Sequence, residues 1–118
     1  MKGFTVFGVG NVGADLELQK KGDTSYVRVP LIANDYAGKD KKGKAREVKT
    51  QIFFVAFGKT AEALAEHVRK GDQLIVQASI EANNYEQGGE TRYDYSYVID
   101  SFKFGAPGKI KREELADR

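Results

Sequence analysis

The chain of 118 residues has no cysteine and no tryptophan, two prolines, one histidine and one methionine. Without cysteine there is no disulfide framework and no thiolate metal site, a composition that fits a reducing compartment. A single histidine, His67, rules out histidine clusters, and it falls on the polar side of a helical pattern, where a plain surface residue is expected. No apolar run approaches the length of a membrane span, and the opening MKGFTVFG has no signal-peptide core. Nor is there a large excess of charge: 19 basic residues against 17 acidic leave +2, which by itself names no partner. The carboxylates Glu81, Glu86, Asp94 and Asp100 are no more clustered than in most domains this acidic. No spacing pairs a nucleophile with a base. Catalytic residues, metal ligands and cofactor are therefore all expected to be none.

What is present begins with Gly8, Gly10 and Gly13 in FGVGNVGAD, the G-x-G-x-x-G spacing of a dinucleotide cradle. That cradle needs a helix opened by the third glycine. Here ADLELQ follows, alternating apolar and polar as a strand does. The glycines read instead as a bulge and tight coiling in a first strand running from Phe4 to Leu18.

KKGD, residues 20–23, signals a turn, and Ser25 to Ala33 reads as a second strand. Pro30 within it demands an unpaired edge or a bulge. The segment Asp35 to Lys49 has no sustained period and reads as a long loop, with or without a hairpin of its own. It gathers Lys39, Lys41, Lys42, Lys44, Arg46 and Lys49 against Asp40 and Glu47. Such a run is either a solvated surface or a contact to phosphate, and the spacing does not choose.

TQIFFVAF, residues 50–57, is a third strand. In KTAEALAEHVRKG the period becomes helical: Ala61, Leu64, Ala65 and Val68 share a face, Thr60 is the N-cap candidate and Gly71 the left-handed stop. Asp72 to Ala82 is a fourth strand with Leu74, Val76, Ala78 and Ile80 facing one way. EQGGE is a hairpin loop, and Arg92 to Phe104 a fifth strand with Tyr93, Tyr95, Tyr97 and Ile99 on alternate positions. Three strands, one helix and two strands is the order of an all-β, five-stranded OB-fold barrel with a short helix between strands 3 and 4. Residues 1–105 form that domain, and 106–118 a short charged tail.

Thirteen aromatics exceed what one small barrel hides. In the third strand Ile52, Phe54 and Ala56 take one face and Gln51, Phe53, Val55 and Phe57 the other, and both cannot point inward. The outer face therefore offers flat rings on which bases can stack.

VGNVGADLEL, LIAND, VAFGKTAEALAEHVRKGDQLIV and ANNYEQGGETRYDYSYVID together resemble the bacterial and phage single-stranded DNA-binding proteins with an OB-fold, in order from about Phe4 to Phe104. FGKTAE with the later RKGD is the most specific part. By this resemblance Tyr36, Phe57 and Tyr85 stand at base-stacking positions. A position commonly tryptophan falls on Gln51, and Phe53, two residues on, supplies a ring to the same face. Arg28, Lys39, Lys41, Lys42, Lys44, Arg46, Lys49 and Arg92 are expected to contact phosphate, with Gln51 as a polar contact.

The implied function is sequence-independent coating of single-stranded DNA in replication and recombination. The implied assembly is a homotetramer built through first strands, or a dimer. The acidic tip that ends cellular relatives has no counterpart in KREELADR, which resembles a phage or mobile-element form. Replication or recombination partners would then be met by another route, in the cytoplasm of a bacterium or an infected one. An accessory OB-fold module, primosome-type or RNA-binding, is the alternative.

Overall fold

The computed structural model describes residues 3–92 and 94–116. Tyr93, expected on the last strand, and residues 117–118 of the charged tail lie outside these. Five long strands carry the fold: β1 (Thr5–Val12), β3 (Thr24–Lys39), β4 (Ala45–Phe57), β5 (Gln73–Ala82) and β8 (Tyr95–Phe104). A short β2 (Gln19–Lys21) and a separate hairpin of β6 (Tyr85–Gln87) and β7 (Glu90–Arg92) complete the strands. Helix α1 (Gly58–His67) joins β4 to β5, and α2 (Lys109–Ala116) follows β8. The sheet runs β1-β5-β8-β4-β3-β2, and β1 pairs back to β3 at Asn11 with Ile32 and Val12 with Leu31. That second pairing closes a five-stranded barrel with one helix between its third and fourth long strands, which is the OB-fold.

Alternation along the strands decides the inside. Val27, Val29 and Leu31 of β3 meet Phe54 and Ala56 of β4, Leu74, Val76 and Ala78 of β5, and Ile99 of β8. Ala61 and Leu64 of α1, with Val68 just beyond it, plug one end. Each large aliphatic side chain buried this completely contributes roughly 1.5–3 kcal/mol. On β5 the alternation breaks where Asp100 bulges out of β8, so Ser79 is buried beside Ala78 and Ile80 only half-buried. The Ser79 hydroxyl hydrogen-bonds the carboxylate of Asp100, which satisfies the buried oxygen.

Several expected boundaries move, each for a local reason. The first strand stops at Val12 rather than Leu18, because β5 begins at Gln73 opposite Asn11 and offers nothing further to pair with. ADLELQ keeps its alternation only as a segment whose Leu16 packs on the core. The glycines make no bulge in β1, whose register with β5 is unbroken from Thr5 to Asn11. Gly10 and Gly13 permit close approach instead: a Cβ on Gly10 would stand 2.7 Å from the Ile32 carbonyl oxygen, and one on Gly13 the same distance from the Ile32 Cδ1, whereas one on Gly8 would meet nothing nearer than 3.6 Å. Pro30 keeps its place opposite Phe53, and its carbonyl accepts the Gly13 amide at 2.8 Å, away from β4. Its proton-less nitrogen faces that same side, where the ladder to β1 includes only Leu31 and Ile32.

The helix starts earlier and ends sooner than its period suggests. Phe57 is its N-cap, with no side-chain cap bond, so Thr60 lies inside it. Val68 is already extended, and Arg69, Lys70 and Gly71 lie in the turn beyond. Asp72, only 3% exposed, explains the exit: its Oδ2 accepts the Arg69 amide at 2.9 Å. The Gly71 amide is used at 2.7 Å by the Val12 carbonyl rather than by a helix carbonyl. The Asp35–Lys49 segment is no open loop, since β3 and β4 stay paired out to Lys39 and Ala45. Arg92 belongs to the small hairpin, and the last barrel strand starts at Tyr95. Within the charged tail, α2 is held to the barrel by Gly108 N–H donating to Asp72 Oδ1 (2.8 Å) and by Arg69 Nε to Glu114 Oε1 (3.1 Å).

Candidate nucleic-acid interface

The register of β3 on β4 writes out one outer face rung by rung. Tyr26 stands opposite Phe57, Arg28 opposite Val55, Pro30 opposite Phe53, Ile32 opposite Gln51, Asn34 opposite Lys49 and Tyr36 opposite Glu47. The inward residues of β4 are closed off, with Phe54 3% exposed, while Phe53 is 64% and Phe57 48% exposed. Such large rings are left in water where a barrel has filled its interior with the opposite face. Phe53 and Phe57 are four residues apart, roughly 13 Å along a strand. One base cannot cover both, so each ring can take its own. Arg28 lies on the rung between them, beside Val55.

This face forms one wall of a groove of about 650 Å³. Lys21, Tyr26, Arg28, Phe53 and Phe57 line it from the β2–β4 side. Tyr95, Ser96 and Tyr97 of β8 line it from the other, with Glu81, Asn83 and Asp94 at the ends of β5 and β8. Cations thus border one side and carboxylates the other. An anion in this groove is favoured on the side of Lys21 and Arg28 and repelled from the side of the acids.

Of the expected residues, Arg28, Phe53 and Phe57 share the groove, and Tyr36, Lys49 and Gln51 continue the same face outward along the hairpin. Phe53 does lie on the face of Gln51, one rung nearer the groove. Lys39, Lys41, Lys42 and Lys44 are gathered at the hairpin's tip, while Arg46 alternates to its opposite face. Tyr85 and Arg92 are direct cross-strand partners on the β6–β7 hairpin, with Arg92 3.6 Å from Glu90. Sequence reasoning missed Tyr26 and Tyr95, the second of them 59% exposed. Tyr26 was within reach, since its alternation puts it on the face of Arg28; only the register shows that it meets Phe57. Its hydroxyl donates to Gln19 Oε1 at 2.7 Å, which fixes the ring against β2. Tyr95 has the period of Tyr97 and Ile99, which pack on and in the core, and is exposed because it stands at the first position of β8.

Among the described residues no three acids or histidines are placed to hold a metal ion, and no helix is long and apolar enough to cross a membrane. His67 is exposed, 3.7 Å from Glu66 and edge-on to the ring of Phe104. A second apolar surface lies elsewhere on the barrel: Phe7 and Val9, 71% and 46% exposed, alternate onto the outward face of β1, and Phe4 just before the strand is 74% exposed. Along Thr5–Gly10 that strand pairs with β5 on one side, and its pairing with β3 begins only at Asn11.

Comparison with known proteins agrees with this geometry. Residues 4–105 match the single-strand binding protein family. A single-stranded DNA-binding protein of Clostridium perfringens is 34% identical over 99 residues, covering 81% of this chain and 61% of that protein, so the chain spans less than two thirds of this relative. The single-stranded DNA binding protein from Thermus aquaticus superposes with a TM-score of 0.69 at 23% identity, over 85% of this chain and 48% of that one. The Plasmodium falciparum SSB, solved in complex with ssDNA, superposes at 0.68 with 13% identity, over 88% and 97%. Both structures share the fold. With a family match spanning the barrel from Phe4 to Gly105, the chain belongs to the single-strand binding protein family.

Proposed function

We propose that the chain binds single-stranded DNA without catalysis and with little regard to sequence, coating it during replication or recombination. The observation that carries this reading is the outer face of β3 and β4, where exposed Phe53 and Phe57 flank Arg28. Bases stack on Phe53, Phe57, Tyr36 and Tyr85, each worth roughly 1–3 kcal/mol, and every base has a face to offer. Tyr26 and Tyr95 extend the platform. Arg28, Lys49, Arg92, Arg46 and the lysine tip neutralise phosphates, while Gln51 offers an amide to the strand between the rings.

Binding of this kind is measured by anisotropy of a labelled oligo-dT. Alanine at Phe57 together with Tyr85 is expected to weaken it with the melting temperature unchanged, and unaltered affinity would return both rings to a structural role. An RNA of equal length, bound more tightly than DNA, would instead favour an RNA-binding module. We further propose a homo-oligomer, a tetramer or a dimer, formed where β1 leaves an edge and Phe4, Phe7 and Val9 in water. A cytoplasmic location suits a cysteine-free DNA-coating protein.

A further inference from the structure

Six basic residues crowd the stretch from Lys39 to Lys49, and Asp40 sits among them. Charge arithmetic makes Asp40 a liability, because it cancels one lysine of a phosphate-binding tip. Its hydrogen bonds say otherwise. The Asp40 Oδ1 accepts the amides of both Lys42 (2.8 Å) and Lys44 (2.9 Å). Its own amide donates to the Lys44 carbonyl at 2.8 Å, and its carbonyl accepts the Gly43 amide at 3.0 Å. One residue therefore closes the five-residue loop from Asp40 to Lys44 with four hydrogen bonds.

Gly43, at φ +79°, makes the reversal that lets the Lys44 amide turn inward. The chain enters this loop through an irregularity: the register slips between Tyr36 and Lys39, so that two residues of β3 face one of β4. Without the carboxylate, only the two backbone bonds of Asp40 with Gly43 and Lys44 would hold the loop against four lysines within six residues that repel one another inside a single Debye length.

We propose that Asp40 is a positioning residue for DNA binding: it staples the hairpin tip so that Lys39, Lys41, Lys42 and Lys44 are presented to phosphates as a preformed set. A preformed set loses less freedom on binding than four lysines on an open loop. This rests on the reading of the tip as a phosphate-binding element.

Two substitutions with identical charge separate position from charge. Asp40→Asn keeps the oxygen that accepts both amides; Asp40→Ala removes it. Simple electrostatics gives the two the same affinity, above that of the parent chain. Stapling instead makes Asp40→Ala about threefold to tenfold weaker than Asp40→Asn on oligo-dT at low salt. Its log–log salt slope should also be shallower by about 0.7 for each phosphate that the tip no longer neutralises. Faster hydrogen exchange at the Lys42 and Lys44 amides should accompany this in Asp40→Ala alone, and melting temperatures should agree, since Asp40 is exposed and far from the core in sequence register. Equal affinities and slopes for the two variants, with a chain whose four tip lysines are alanine clearly weakened, overturn the inference and leave the DNA-binding reading intact. If the lysine-free tip binds as tightly as the parent and with the same slope, the phosphate-binding role of the tip falls and the inference with it.

Discussion

At the scale of single residues, Phe53 and Phe57 are where fold and function diverge. Neither ring is needed to fill the barrel, since Phe54 and Ala56 already do so from the same strand. Replacing either by alanine is therefore expected to leave the melting temperature within a degree or two while weakening oligo-dT binding by roughly 1–3 kcal/mol. Parallel thermal and anisotropy measurements check both halves. Gly10 of β1 and Gly13 just beyond it make the reverse case. A methyl at Gly10 meets a backbone oxygen of Ile32, which can move only with its strand, whereas a methyl at Gly13 meets the swinging end of the Ile32 side chain. Gly10→Ala should cost about 1–3 kcal/mol of stability and Gly13→Ala distinctly less, as chemical denaturation would read. Equal costs would show that β1 can shift away from β3 and that close approach is not what these glycines serve.

At the scale of elements, the hairpin arm of β3 and β4 and the turn at Asp72 matter most. The core strands were legible because one face of each is buried: Val27, Val29 and Leu31 fall on alternate positions with exposed Arg28 among them, and Leu74, Val76 and Ala78 do the same with exposed Gln77 among them. The helix was legible from its period, and the outward face of β4 from having apolar residues on both sides. The arm was not, because both of its faces are in water and nothing in its side chains records the pairing that carries β3 on to Lys39. The ends of α1 and β1 escaped for a related reason. They are set by Asp72, whose backbone and carboxylate bind Val12, Arg69 and Gly108 from three separate parts of the chain. Asp72→Ala would leave the Arg69 and Gly108 amides without their partner, at about 1–3 kcal/mol. Lower stability together with faster hydrogen exchange at Gly108 and along α2 is expected. An unchanged α2 would mean that the Arg69–Glu114 pair and the bonds of Gly105 and Ala106 to Gln73 hold it without Asp72.

At the scale of the whole molecule there are two exposed apolar surfaces: the groove with the β3–β4 face, and Phe7 with Val9 on the outward face of β1. Assigning DNA to the first and a second copy of the chain to the second keeps both in use at once. Phe7→Glu should then lower the sedimentation coefficient toward the monomer while each barrel keeps its fold by circular dichroism; an unchanged coefficient would place the subunit contact elsewhere. The central claim is that this barrel holds single-stranded DNA by rings and phosphate-binding cations together. It is tested most directly by titrating labelled oligo-dT across a series of salt concentrations. Tight binding is predicted at low salt, weakening along a straight log–log line whose slope grows by about −0.7 for each phosphate neutralised, with oligo-dC and mixed sequences close behind. Weak binding that salt does not alter would contradict it.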